Sequence, residues 1–498
     1  MAVHLFEQHD EAYHTWAEAG ARARPLVHVD AHHDLTWLDS PDDLSIANYV
    51  CQALKDDLVS DVVWVVPDPV LRSGKERRGL ADQLNELRRD YRPPARSLPA
   101  TPDRLTVQLL GRRIEIAALD ELPRGLGPVL LDLDTDFLIQ PGDALPWVWP
   151  GALAARLRRR GIAPELCTIA YSVEGGYTPL EWKYLGDELA CEMRGGDARA
   201  QRAEGFARLR TAATARAAAD VAAGERALRE AAAALPDSAA PKFLLARLLA
   251  GAGRIPEARD LYRSALAVDA SYRTAYACGG FWCLNYDRPE RAEREFLDSL
   301  VLEPVDGYAE LGLARIAEIR RDWFAAEAWV SKALSRNPHL VDAHRMHGRL
   351  LERQRRWQDA CAAYRQSLKL ALHGRSPLRQ PIAARRPPNQ LVADVEHGRT
   401  YHRIAVLEAR AGRPDAAIAA FRVGLAVDPS PPWAHARFAW LCLRRRQWTR
   451  AWRQLISAVR AAPMSIRRTL RRGFRRSVRR LTAWRWHQGT GLVAIDYR

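Results

Sequence analysis

Small residues return at a fixed interval of 34 positions through the second half of this 498-residue chain. Ala258, Ala292, Ala326 and Ala360 stand in register. Each is followed four residues on by a large side chain (Tyr262, Phe296, Val330, Tyr364) and seven on by a small one (Ala265, Ser299, Ala333, Ser367). Twelve residues before each stands another small residue: Ala246, Gly280, Ala314, Gly348. The pattern resumes at Ala417 and Ala451, with Ala405 and Ala439 in the earlier position. Pro304, Pro338, Pro429 and Pro463 close repeats, and a fainter copy around Leu228 and Pro236 leads the set. A period of this length leaves few architectures. One repeat is a helix pair that cannot bury its apolar face alone, so neighbours must stack into a solenoid. Small residues let the paired helices approach, and the large one fills the groove beside them.

This part, residues 198–463, resembles a tetratricopeptide array of six repeats behind a degenerate first one. Such arrays bind peptides or proteins along a concave face. Trp323, Trp357 and Trp448 recur at one repeat position, which marks them as packing residues rather than a platform for bases, and no DNA specificity is evident. Residues 373–396 interrupt the period and contain Arg385-Arg386-Pro387-Pro388, the composition of a loop. In the tail, residues 464–498, arginine pairs begin at 467, 471, 475 and 479, interleaved with Ile466, Leu470, Phe474 and Val478. On a helix that is a basic amphipathic strip. It serves either as a cap on the last repeat or as a surface for an acidic segment, a nucleic acid or a membrane.

Residues 1–197 have another texture. Apolar runs at 25–29, 61–67, 104–110, 129–134 and 166–173 alternate with helical stretches at 44–54, 75–91 and 151–160, and Glu7–Ala19 reads as a helix with His9 in its first turn. Nearly all-apolar strands alternating with helices describe an α/β fold with a parallel sheet covered on both faces. The first of these runs ends in Asp30-Ala31-His32-His33-Asp34. In an extended strand residues two apart share a side, so Asp30, His32 and Asp34 are expected to converge beyond the strand's end, where such sheets place their sites. Another strand ends in Asp132-Leu133-Asp134, with Asp136 on the same face, and a third delivers Glu174 before Gly175-Gly176. A carboxylate at a buried strand end costs several kcal/mol unless paired or metal-bound. Two or more carboxylates and an imidazole per ion make a Mn²⁺-type set, and two ions sharing carboxylates suit hydrolysis.

These segments resemble the arginase (ureohydrolase) superfamily, and within it the peptide arginase-like branch of ribosomal peptide biosynthesis. Glu7-Gln8-His9-Asp10-Glu11-Ala12 with Trp16 matches that branch's early Glu-x-His-x-x-Ala…Trp segment. The resemblance covers about residues 3–190 and implies a three-layer α/β/α domain with two Mn²⁺. His9, Asp30, Asp34 and Asp132 would hold one ion; His32, Asp30, Asp132 and Asp134 would hold the other, with Asp30 and Asp132 bridging. Asp34 would also orient the bridging hydroxide, and Glu174 would accept hydrogen bonds from the substrate guanidinium. Asp136 is not among the implied ligands, because the run is one residue short of DxDxxD. Two departures stand out. The asparagine that helps free-arginine enzymes hold the α-carboxylate is missing from Leu35-Thr36-Trp37, and no histidine between 33 and 339 replaces their proton shuttle. His33, His28 or a water is left for that task.

Charge divides along the same line. The chain carries +15 overall, yet residues 1–200 carry −10 and the remainder +25. An acidic, histidine-bearing first part suits cations, and a basic second part suits an anionic partner. Seven cysteines with no CxxC pair argue against a disulfide framework, and no signal peptide or membrane span is visible, which fits a cytoplasmic protein. The reading from sequence is therefore a binuclear manganese hydrolase that turns peptidyl arginine into ornithine, its repeats binding the peptide. Its rivals are a mononuclear zinc amide hydrolase of the deacetylase kind, suggested by the tandem His32-His33, and a non-catalytic repeat scaffold.

Overall fold

The computed structural model describes residues 2–38, 41, 44–72, 74–91, 99–140, 143–173, 177–273, 280–281, 283–284, 288–302, 307–372, 395–428 and 430–461. Glu174, most of the 373–396 insertion and the arginine-rich tail lie outside them. The chain divides into two compact units, residues 1–321 and 322–498.

The first unit is organised on seven strands: β1 (Ala2–Phe6), β2 (Arg24–Val29), β3 (Val59–Val65), β4 (Thr106–Leu109), β5 (Arg112–Ala117), β6 (Pro128–Asp134) and β7 (Ala163–Ala170). Their order is β1-β7-β6-β2-β3-β5-β4, and every pair is parallel except β4 with β5. The run expected as one strand at 104–110 is the first arm of a hairpin. Leu110 and Gly111 both take positive φ, 52° and 76°, as the tight two-residue turn requires.

Alternation along the strands splits the sheet into two apolar faces. Leu26, Val62, Trp64, Ile114 and Leu130 pack with Trp16 of α1 (Glu11–Glu18), the α2 helix (Tyr49–Lys55) and Leu84 of α3 (Gly74–Asp90). Val27, Val63, Leu131 and Cys167 pack on the other face with Leu153 of α4 (Pro150–Arg159) and Leu185 of α5 (Tyr184–Arg194). The result is a three-layer α/β/α arrangement around a mostly parallel sheet. β2 leads to β3 on one side, whereas β6, its other neighbour, leads to β7 on the opposite side. Adjacent strands whose connections diverge open a crevice at their C-terminal ends, the usual ligand position in such sheets.

Helix pairs follow: α6 (Gly196–Ala217) with α7 (Val221–Ala234), and α8 (Ala240–Gly251) with α9 (Ile255–Val268). Then come α10 (Pro289–Leu302) and α11 (Tyr308–Ile319). One apolar cluster runs from the sheet through Phe206, Leu245 and Tyr262 to Leu302. The change of texture at 197–198 falls inside α6, within one compact unit. The second unit holds α12 (Trp323–Arg336), α13 (Val341–Arg353), α14 (Trp357–Leu372), α15 (Val395–Arg410), α16 (Pro414–Val427), α17 (Pro432–Arg444) and α18 (Trp448–Ala461).

In each unit the helices follow one another in pairs, and the 34-residue interval has a direct packing cause. A Cβ on Gly348 would stand 2.8 Å from Tyr364 Cε1, and one on Gly280 would clash with the Phe296 ring. At these two positions the glycine makes room for the large residue of its own repeat. Arg353 lies 3.5 Å over the Trp323 ring centre and Arg410 4.8 Å over that of Trp357, so these tryptophans do pack. Trp448 does not share that environment; it is 65% exposed. Among the described residues no helix is long and apolar enough to cross a membrane.

Candidate metal centre

Three chain segments meet at the crevice between β2 and β6. The first is the link between β1 and α1. His9 lies in this link and not in the helix, which starts at Glu11, because an N-terminal strand precedes it. The link is tied to the end of β7: Ser172 N donates to Glu7 O (3.2 Å) and Val173 N to Glu7 Oε1 (2.6 Å). Thus fixed, His9 Nδ1 stands 3.1 Å from Asp30 Oδ2, 3.1 Å from Asp134 Oδ2 and 3.4 Å from Asp34 Oδ2. Its Nε2 stands 3.0 Å from Asp132 Oδ2.

The second segment follows β2, and it departs from the expected geometry. The strand stops at Val29, so strand alternation does not carry Asp30, His32 and Asp34 to one point. A loop does so for two of them. Asp34 takes a left-handed φ of 50°, which turns its carboxylate inward beside Asp30. His32 instead faces the rim. Its side chain is 43% exposed, pairs with Asp136 (Nδ1–Oδ2 2.9 Å) and meets the Tyr177 ring edge-on. His32 therefore groups with Asp30 and Asp136, away from Asp132 and Asp134.

The third segment is the end of β6. Cross-strand register sets His28, Asp132 and Thr168 side by side on one face. Thr168 Oγ1 (2.6 Å) and Tyr49 Oη (2.7 Å) donate to the two oxygens of Asp132. Ser172 Oγ (2.6 Å) and the Asp136 amide (3.0 Å) donate to Asp134. His28 Nδ1 lies 3.0 Å from Asp132 Oδ2, and its Nε2 lies 3.2 Å from the His32 carbonyl. Carboxylates held this way keep their orientation before any ligand arrives.

Charge makes the cluster unusual. Asp30, Asp34, Asp132, Asp134 and Asp136 are all buried, in company with His9 and His28. Burial, with Asp30 nearby, pushes the Asp34 carboxyl well above the ordinary range. Burial, with Asp134 and Asp30, pushes Asp136 up to about 8. For Asp30 and Asp132 burial acts the same way, but the neighbouring histidines outweigh it and hold both low. His9, despite its burial, is raised by Asp132 and Asp134, and His32 reaches about 12 through Asp136 and Asp30.

The donor set fits metal ions. His9 Nε2 and Asp30 Oδ2 are buried without a hydrogen-bond partner; their close neighbours are present but misaligned for hydrogen bonding. Four overlapping groups have ligand atoms within 4.8 Å of one another: His9–His28–Asp132, His9–Asp30–Asp134, His28–Asp30–Asp34 and Asp30–His32–Asp136. Asp30 belongs to three of them. A cavity of about 360 Å³ opens onto the cluster, walled by Glu7, His33, Trp64, Gln83 and Tyr177.

The structure adds His28 and Asp136 to the group named from sequence. His28 was within reach of that reasoning, since it stands two residues before Asp30 on β2. The sequence reading kept it only as a candidate for the proton-shuttling task. The tandem His32-His33 splits: His33 Nδ1 accepts from the Leu35 amide (3.0 Å), and the ring meets Trp64 edge-on. Burial and His28 hold His33 down to about 4, so it is neutral at neutral pH.

No family model and no curated protein matches the chain. Among solved structures, PilF of Pseudomonas aeruginosa is similar at 17% identity over 39% of this chain and 78% of that one, with a TM-score of 0.31. YrrB, described as a TPR protein with an unusual peptide-binding site, is similar at 16% identity over 45% and 99%, TM-score 0.26. Cut9 with Hcn1, from the APC/C, is similar at 13% identity over 62% and 57%, TM-score 0.31. Likeness this slight carries no argument. The repeat assignment rests on the chain's own helix pairs.

Proposed function

We propose that the first unit is a two-metal hydrolase that converts arginine within a peptide to ornithine, the repeats binding the peptide. One observation carries this reading: five buried carboxylates and three imidazoles meet at a single crevice, with two of their polar atoms lacking hydrogen-bond partners. So much buried negative charge is costly unless cations answer it. An oxygen-rich set with imidazole suits Mn²⁺. His9, Asp30, Asp34, Asp132 and Asp134 would hold the ions, with His32 and His28 beside them. When bound, such a pair supplies Lewis acidity and lowers the pKa of a water.

The remaining chemistry belongs to the chain. Water adds to the guanidinium carbon, the bond from that carbon to the side-chain nitrogen breaks, that nitrogen takes a proton, and urea leaves. Charge is conserved, the cationic guanidinium becoming the ornithine ammonium. A cavity lined by Glu7, Asp30, Asp34 and Asp134 favours a cationic group, and Trp64 and Tyr177 offer faces along which an alkyl stem can lie. Glu174 retains the guanidinium-accepting role that the arginase resemblance implies. Leu35 is buried and its carbonyl is taken by Tyr91 Oη (2.7 Å), so Leu35 offers no donor to an α-carboxylate where free-arginine enzymes carry an asparagine. That supports an arginine embedded in a peptide.

Mass spectrometry of an arginine-containing peptide incubated with the Mn²⁺-loaded chain tests the reading. A loss of about 42 Da, CH₂N₂, per modified arginine is expected, absent with Asp132→Ala. An unchanged peptide, with urea released from free arginine, would contradict the peptide part.

A further inference from the structure

In the second unit the first helix of one repeat covers the second helix of the repeat before it. On α14, Cys361, Tyr364 and Leu368 are buried against Ile404 and Leu407 of α15. On α16, Ile418, Phe421 and Leu425 are buried against Phe438 and Leu441 of α17. The same three register positions on α18 are Trp452, Leu455 and Val459, and all are exposed, Trp452 by 62%. Trp448 and Ile456 extend the face, so among the described residues five large apolar side chains stand open on this one helix. Its other side is packed in the ordinary way: Ala451 is buried, and Gln454 meets His435 of α17 (2.7 Å).

The sequence that follows α18 carries a matching stripe. Links 337–340 and 428–431 join α12 to α13 and α16 to α17, and a link of that length after Ala461 ends just before Ile466. Gly473 stands 34 residues after Ala439, as Ala439 stands after Ala405, so the position that demands a small side chain keeps one. Ile466, Leu470, Phe474 and Val478 recur at helical spacing, and the arginine pairs fall off that stripe. Arg450 and Arg453 lie exposed on α18 beside the bare face. Like charges repel, which fixes the orientation: apolar stripe inward, arginine pairs outward. A segment tethered by so short a link competes at an effective concentration of roughly millimolar, which a second copy in dilute solution does not reach.

We propose that residues 466–478 pack as one helix across Trp448, Trp452, Leu455 and Val459, closing the repeats and leaving the arginine pairs on the outer surface. Hydrogen-exchange mass spectrometry of the full chain tests this. Amides of 466–478 are expected to exchange at least about tenfold more slowly in the wild type than in Phe474→Asp. Trp452→Ser, on the other side of the contact, should release the same amides to the same extent. Trp452 is exposed, so its substitution leaves the rest of the unit folded. High salt should preserve the protection, because it screens the like charges and does not weaken apolar contact. Exchange as fast in the wild type as in Phe474→Asp would overturn the proposal. So would protection that survives Trp452→Ser, which would mean a helix standing apart from α18. Protection that high salt removes would put an ionic partner on the tail, and protection that grows with protein concentration would put a second copy on the face; either result overturns it.

Discussion

Asp34 shows how a single backbone torsion serves the centre. At a φ of 50° a residue other than glycine is strained, and asparagine tolerates that region better than alanine does. Asp34→Asn should therefore leave the metal-free melting temperature unchanged or raised, because it removes a carboxyl that burial already drives toward its neutral form. The same variant should lose most of the melting increase that Mn²⁺ gives the wild type, whereas Asp34→Ala adds a backbone cost of about 1 kcal/mol. Protons compete with the proposed ions at Asp34, whose carboxyl burial and the nearby Asp30 push well above the ordinary range. A protonated carboxyl cannot ligate, so apparent affinity should rise with pH. Calorimetric titration in buffers of different ionisation enthalpy would register the released protons. The aspartates at the β2 and β6 ends were legible in sequence, since buried acids at strand ends demand an explanation. The rim position of His32 was not, because it depends on a loop torsion that no spacing rule encodes.

At the scale of elements, the repeats were legible because close helix packing dictates residue size at fixed positions. Gly348 is the sharpest case: a methyl there meets the Tyr364 ring, so Gly348→Ala should cost about 1–3 kcal/mol in a denaturant titration. Gly251, helical with open space around its Cα, is the control, and Gly251→Ala should be neutral or stabilise by up to about 1 kcal/mol. β1 and β5 escaped detection for the converse reason. Both lie outside the central strands, and partly exposed residues interrupt their apolar pattern. Missing β1 also misplaced His9 into a helix, since a strand leading into α1 leaves it in the link.

At the scale of the first unit, sheet and repeats are bound by charge as well as by their shared core. Glu181 gathers arginines from three repeat helices, and Lys183 reaches Asp269 (3.1 Å) and Ser271 (2.5 Å) at the end of α9. Burial raises the Glu181 carboxyl, but the three arginines outweigh it and hold the group at about 2 against an ordinary 4.5. A depressed folded-state pKa stabilises above the unfolded value, so this contribution is complete above about 4.5 and lost as pH falls toward 2. Glu181→Gln should remove that acid-sensitive component and lower stability at neutral pH by about 3 kcal/mol, leaving guanidiniums without their counter-charge. The sheet's divergent connections open the crevice at which carboxylates and imidazoles gather. Everything about the proposed hydrolysis depends on two ions being held there. The direct measurement is metal content per chain by inductively coupled plasma spectrometry after dialysis against limiting Mn²⁺. Two ions per chain, falling to one or none in Asp30→Ala, is the result expected. One zinc per chain, or a content unchanged by Asp30→Ala, would contradict it.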